Sequence, residues 1–184
     1  RDLLGAVDFL RARFPHAPIA VYGVSMGGSV ALQAAAEDER IGAVAADCAF
    51  TTLSDMVAYR RRTQFTGLRA PAFHLSRRAA ELMSGARIHE FRPLDVVHRI
   101  APRPVFLMHS ERDVLVPPEH FERFLERLPI GTERWLIPGC GHAAGSSERA
   151  DEYVERLAGF FRRALARHDV TGPDAAAPSR PDQR

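Results

Sequence analysis

The chain has 184 residues, 46% of them apolar, enough for one domain with a real core and too apolar for disorder throughout. Its apolar runs, such as Ile19 to Val21 or Val105 to Met108, fall well short of the roughly 18 to 20 residues of a membrane-spanning helix. All 25 basic residues are arginine, against 23 acids and a formal net charge of +2. The lack of lysine excludes a Gly-Lys-Ser/Thr phosphate loop, a Schiff-base lysine and a Ser-x-x-Lys nucleophile in this stretch.

Residues 2 to 14 place Leu3, Val7, Leu10 and Phe14 at helical spacing, and Pro15 stops the helix. Ile19 to Tyr22 is a short β-prone run ending at Gly23, followed by a helix over Val30 to Glu37. Ile41 to Ala46 reads as a second buried strand, closed by Asp47. From Thr51 to Arg103 the chain is too long for a plain connection and holds helical pieces such as Leu75 to Met83. This stretch is expected to overhang a ligand crevice as a lid. Strands over Val105 to His109 and Trp135 to Ile137 enclose a helix over Glu119 to Leu128. An amphipathic helix over 147 to 167 follows, carrying Tyr153, Leu157, Phe160, Phe161 and Leu165.

Strands alternating with helices predict the α/β class, with a parallel sheet covered on both faces. The predicted organisation is one domain over 1–168, its lid at about 51–103, and a disordered Pro- and Ala-rich tail over 169–184. Arg1 opens the chain inside an amphipathic segment, which reads as a start in mid-protein. A membrane anchor or targeting signal upstream is therefore open, and the expected compartment is the cytoplasm.

The Arg60-Arg61-Arg62 and Arg77-Arg78 clusters read as solvated helix faces, so no nucleic-acid partner is expected. Cys48 and Cys140 lack metal or disulfide spacing and read as free and packed, with Cys140 reachable by thiol reagents near His142. No cofactor and no metal are expected.

The strongest signal is Gly23-Val24-Ser25-Met26-Gly27-Gly28, a G-x-S-x-G turn between strand and helix. A sharp turn pushes the serine hydroxyl above the sheet, and glycines flank it where side chains would clash. The Met26 N–H then lies at a helix N-terminus, where partial positive charge favours an oxyanion. A serine hydroxyl needs a base, itself oriented by an acid. His142, in the Pro138-Gly139-Cys140-Gly141-His142 loop after the last strand, is the candidate base. Asp113, in the loop after the third strand, is the candidate acid. Asp47 at the end of the second strand is its rival, whereas Glu111 is expected to face solvent. His109 is expected to support the acid's loop. His16, His74, His89, His98, His120 and His168 show no partner pattern and read as surface or packing residues.

These motifs together, with the Ala101-Pro102-Arg103-Pro104 lead into the third strand and Val116-Pro117 after Asp113, resemble the α/β-hydrolase superfamily. The likeness is to its serine aminopeptidase-like and dipeptidyl-peptidase-like branch of small bacterial hydrolases, over residues 1 to 167. The resemblance implies Ser25, Asp113 and His142 as a triad, Met26 as one oxyanion donor, and a partial α/β-hydrolase fold holding the fifth to eighth strands. It also implies that the loop giving the second oxyanion donor lies outside this chain, a loss on the order of 10² to 10³ in turnover. The expected function is hydrolysis of a carboxylic ester or related acyl bond of a small-molecule substrate. A non-catalytic binding domain, or an acyltransferase or peptidase with the same triad, stands as the alternative.

Overall fold

The computed structural model describes residues 2–64, 69–85 and 88–170. The chain opens with helix α1 (Asp2–Arg13), strand β1 (Ile19–Val24), helix α2 (Met26–Glu37) and strand β2 (Ile41–Asp47). Helices α3 (Leu53–Gln64) and α4 (Arg69–Ser84) come next, then a 3-10 turn, the short helix α5 (Pro93–Val96) and a second 3-10 turn, Val97–Ile100. Strand β3 (Val105–Ser110), helix α6 (Glu119–Leu125), strand β4 (Glu133–Ile137), the one-turn helix α7 (Gly145–Glu148) and helix α8 (Ala150–Val170) complete the order.

The four strands form one sheet in the order β1-β2-β3-β4, every pair parallel, as the alternation of elements predicts. Every residue of β2 and β3 is buried, because parallel central strands are covered on both faces. Their side chains alternate between two cores. Ile41, Val44, Ala46, Val105 and Leu107 pack with Leu32, Val97, Ile100, Phe121 and Phe124 on one face. Ala43, Ala45, Phe106 and Met108 pack with Trp135, Tyr153 and Phe160 on the other. The carboxyl ends of all four strands therefore share one edge of the sheet.

Several elements depart from the sequence reading. Helix α2 starts at Met26 rather than Val30, because Gly27 and Gly28 lie inside its first turn instead of in a loop. In α1 Val7 is buried with Leu3 and Leu4 packed beside it, while Leu10 and Phe14 are exposed. The last amphipathic stretch is two helices, broken at Arg149 (φ −134°, ψ 42°), where the backbone leaves the helical region. Helix α8 then runs to Val170, into the stretch expected as tail; from residue 171 that tail lies outside the described residues. Among the described residues no helix is long and apolar enough to cross a membrane.

Candidate active site

Strand β1 ends at Val24 and α2 begins at Met26, leaving Ser25 alone to make the turn. It does so at φ 55°, ψ −120°, a backbone region costing an L-residue about 1–3 kcal/mol. The turn is tied to the sheet, since the Ser25 N–H donates to the Asp47 carbonyl at the end of β2, 2.7 Å away. Gly23 is sterically required: a Cβ there would sit 2.2 Å from the Gly27 carbonyl oxygen. Gly28 is tight as well, its Cβ position 3.1 Å from the carbonyls of Asp47 and Gly23. Gly27 has open space around it, so the expected clash does not arise at the second glycine of the motif. The Met26 N–H heads α2, where the first helical amides have no intrahelical acceptor and the helix dipole is positive.

Asp113 follows β3 in a loop that its own carboxylate organises. Oδ1 accepts the backbone N–H groups of Leu115 and Val116, each at 2.9 Å. Oδ2, buried with the rest of the side chain, accepts from Nδ1 of His142 at 2.6 Å. With the Nδ1 proton committed there, Nε2 of His142 is the acceptor facing Ser25 Oγ at 3.0 Å. The His142 side chain keeps 19% exposure, so the pair opens to solvent on the side where a substrate could enter. Ser25, His142 and Asp113, separated by 117 and 29 positions, thus form one hydrogen-bonded run at the sheet edge.

Asp47, the rival acid, is bound elsewhere. Its Oδ2 accepts from the Tyr153 hydroxyl at 2.8 Å, and its Oδ1 from the Cys48 thiol at 3.2 Å. Tyr153 in turn accepts from the Tyr22 hydroxyl at 2.6 Å, its own proton being spent on Asp47. Burial, with the Asp47 charge next, pushes the Tyr153 phenol well up. Glu111 is exposed as expected and accepts the Gly139 N–H at 2.8 Å, pinning the loop before His142. His109 also matches its expectation: its Nε2–H donates to the Val116 carbonyl at 2.9 Å, bracing the Asp113 loop. Desolvation lowers the His109 pKa and keeps the ring neutral.

Of the two roles expected for His120, it takes packing: it is buried, and its Nδ1 accepts from both the Thr51 hydroxyl at 2.8 Å and the Thr51 N–H at 3.2 Å. Burial pushes its pKa down to about 4. Cys140 is 2% exposed and so is shielded from thiol reagents rather than open to them.

Cys48, His109 and Asp113 present ligand atoms within 4.8 Å of one another. The donor atoms are committed to other partners: the Cys48 thiol, pushed up to about 12 by burial and then by the Asp47 charge, donates to Asp47 Oδ1 at 3.2 Å. Both Asp113 oxygens and the His109 Nε2 are already engaged.

Beside Ser25 and His142 opens a cavity of about 470 Å³, lined by Met26, Phe50, Leu115, Val116 and one face of α3. That face carries Leu53, Met56, Val57 and Arg60, spaced i, i+3, i+4 and i+7 along the helix. The first helix of the long excursion between β2 and β3 therefore forms a wall of the crevice.

The parallel sheet and its flanking helices are those of the α/β-hydrolase fold. Esterase Pf2001 of Pyrococcus furiosus superposes with a TM-score of 0.69 at 25% identity, over 89% of this chain and 61% of that one. The α/β hydrolase GrgF of Penicillium sp. superposes at 0.65 with 20% identity, over 90% and 71%. A puromycin-hydrolyzing peptidase of Mycobacterium tuberculosis does so at 0.63 with 24% identity, over 88% and 24%. Residues 1–168 match the model of the prolyl oligopeptidase family, Peptidase_S9, and the chain belongs to that family. It is 32% identical to the uncharacterized protein YqkD of Bacillus subtilis over 87% of its length, and 27% identical to protein bem46 of Schizosaccharomyces pombe over 84%. It spans about half the length of these curated relatives, 53% and 46%.

Proposed function

We propose that this chain carries the catalytic residues of a serine hydrolase acting on carboxylic esters of small molecules. The observation that carries the reading is the unbroken run from Ser25 Oγ through His142 to Asp113, at 3.0 and 2.6 Å. Ser25 Oγ attacks the substrate carbonyl carbon while His142 Nε2 takes the hydroxyl proton. The carbonyl oxygen becomes the oxyanion and is stabilised by the Met26 N–H at the head of α2. Asp113 stabilises the imidazolium and holds the ring with Nε2 toward Ser25. His142 then gives the proton to the leaving alcohol, so that the C–O bond breaks and an acyl-Ser25 remains. Water, deprotonated by His142, attacks the acyl carbon; the bond from that carbon to Ser25 Oγ breaks, His142 returns the proton to Oγ, and the acid leaves.

A fluorophosphonate probe tests this. Covalent labelling of Ser25 in the folded protein, with p-nitrophenyl ester turnover lost in Ser25→Ala, is the expected result. A folded protein that takes no label overturns the reading and leaves a non-catalytic binding domain. Membership of the prolyl oligopeptidase family favours a second reading, amide cleavage by the same residues. Matched p-nitrophenyl ester and p-nitroanilide substrates separate the two by their ratio of kcat/KM.

A further inference from the structure

Arg60 stands apart from the other arginines of its cluster. Arg61 and Arg62 are exposed, whereas Arg60 is half-buried in the wall of the crevice. Sequence reasoning placed all three on a solvated face; helical spacing instead puts Arg60 on the Leu53, Met56 and Val57 face, which turns inward. Two turns separate Leu53 from Arg60, a rise of roughly 10 Å, so the cavity wall grades from apolar to cationic along α3. Among the described residues Arg60 has no hydrogen-bond or ion-pair partner. The carboxylate of Asp55, on another face of α3, is taken by Arg123 at 2.9 Å. Among the described residues, none of those that line the cavity is acidic. A guanidinium that has given up part of its hydration without gaining an anion is poised for one.

We infer that the substrates of this site are esters whose acyl chain ends in a carboxylate, with the apolar chain lying along Leu53, Met56 and Val57 and the carboxylate on Arg60. The inference rests on the hydrolase reading above for the chemistry, and on the cavity alone for the recognition. A carboxylate fits better than a phosphate for reasons of charge and shape. One guanidinium matches one negative charge, and its planar fork presents paired N–H donors to two oxygens. A phosphate near neutral pH brings about −1.5 to −2 charges, leaving a surplus beside the His142–Asp113 pair. Arg61 and Arg62, exposed next to Arg60, add to the positive field that draws such an anion in.

The test compares the mono-p-nitrophenyl esters of adipate and suberate with p-nitrophenyl hexanoate and octanoate, in the intact protein and in Arg60→Gln. The monoesters of the diacids are expected to have the higher kcat/KM. The ratio of kcat/KM for diacid monoester over neutral ester should fall at least tenfold in Arg60→Gln, chiefly through KM. Binding of 6-oxoheptanoate, a methyl ketone that cannot be hydrolysed, is measured by calorimetry in parallel, with at least tenfold weaker binding expected in the variant. That readout does not need turnover, so failure of Ser25 to take a label sinks the catalytic reading while leaving recognition by Arg60 to stand or fall separately. Equal affinity for 6-oxoheptanoate in the two proteins, or no binding of it at all, overturns the inference.

Discussion

The carboxyl ends of β2 and β3 each place a buried aspartate at the same sheet edge, and the two are held in opposite ways. Asp113, after β3, is fixed by two backbone amides and keeps its second oxygen for His142. Asp47, closing β2, gives both oxygens to side chains that cannot be bases at neutral pH, a tyrosine hydroxyl and a thiol. A carboxylate held by main-chain donors from its own loop has a free face; one ringed by side chains is spent. The difference teaches that the position of an acid at a strand end does not decide its role. What decides it is which of its oxygens the fold leaves over.

Exchanging carboxylate for amide at each position breaks the comparison most directly. Asp113→Asn is expected to lower kcat of ester turnover about 10³- to 10⁴-fold, since the amide disfavours the tautomer with Nε2 open to Ser25. Asp47→Asn should cost less than tenfold in kcat and act on stability instead. Steady-state kinetics on both folded variants checks this, and equal losses would mean that the two carboxylates share the work.

Acid sharpens the comparison through His120, which ties Thr51, just past β2, to α6, which follows β3. Its folded pKa of about 4 lies below the unfolded value of about 6.5, so the unfolded chain binds the extra proton between those values. The stability due to His120 staying neutral is complete above about pH 6.5 and is lost as pH falls toward 4, on the order of 3 kcal/mol in all. Urea unfolding at pH 7 and pH 4 should show a smaller pH dependence in His120→Gln than in the natural protein. His109, also shifted down by burial, adds to the loss in the same direction.

Smaller effects are expected around Asp47. Tyr153→Phe removes the hydroxyl from Asp47 Oδ2 and should cost about 1–3 kcal/mol of stability with Ser25 labelling retained, read from thermal or urea unfolding. Tyr22→Phe removes only a partly exposed donor from Tyr153 and should cost under about 1 kcal/mol in the same measurement.

Much of this was legible in the chain itself. The β-run before Ser25, the apolar strands and the glycine-bounded loop before His142 are local patterns, and each turned up where its spacing puts it. The start of α2 was hidden because Gly27 and Gly28 look like loop residues although a helix tolerates them, and Gly28 is held small by close packing on Asp47 and Ala49. The polar β4 residues Glu133 and Arg134 concealed the beginning of an edge strand whose outward side chains are exposed. The Asp47–Tyr153 bond spans 106 positions, and its one sequence trace is an acid ending an otherwise apolar strand. Arg60 was hidden by its neighbours, since three consecutive arginines read alike until a helix turns one of them inward.

Ser25, Cys48 and Ala143 are the non-glycine residues with positive φ among those described, at 55°, 50° and 55°. One is the proposed nucleophile, one follows the proposed base, and the third follows β2, its thiol 3.5 Å from Ser110 Oγ in the strand end that leads to Asp113. For anyone wishing to make the protein more durable, this trio marks where heat resistance and catalytic fidelity pull apart. Replacing Ala143 by glycine would remove the steric cost of its positive φ, but it would also free the backbone that keeps His142 aimed. The Ala143→Gly variant should lag behind the natural protein in turnover, while Ser25 admits no such exchange because its hydroxyl is the proposed nucleophile.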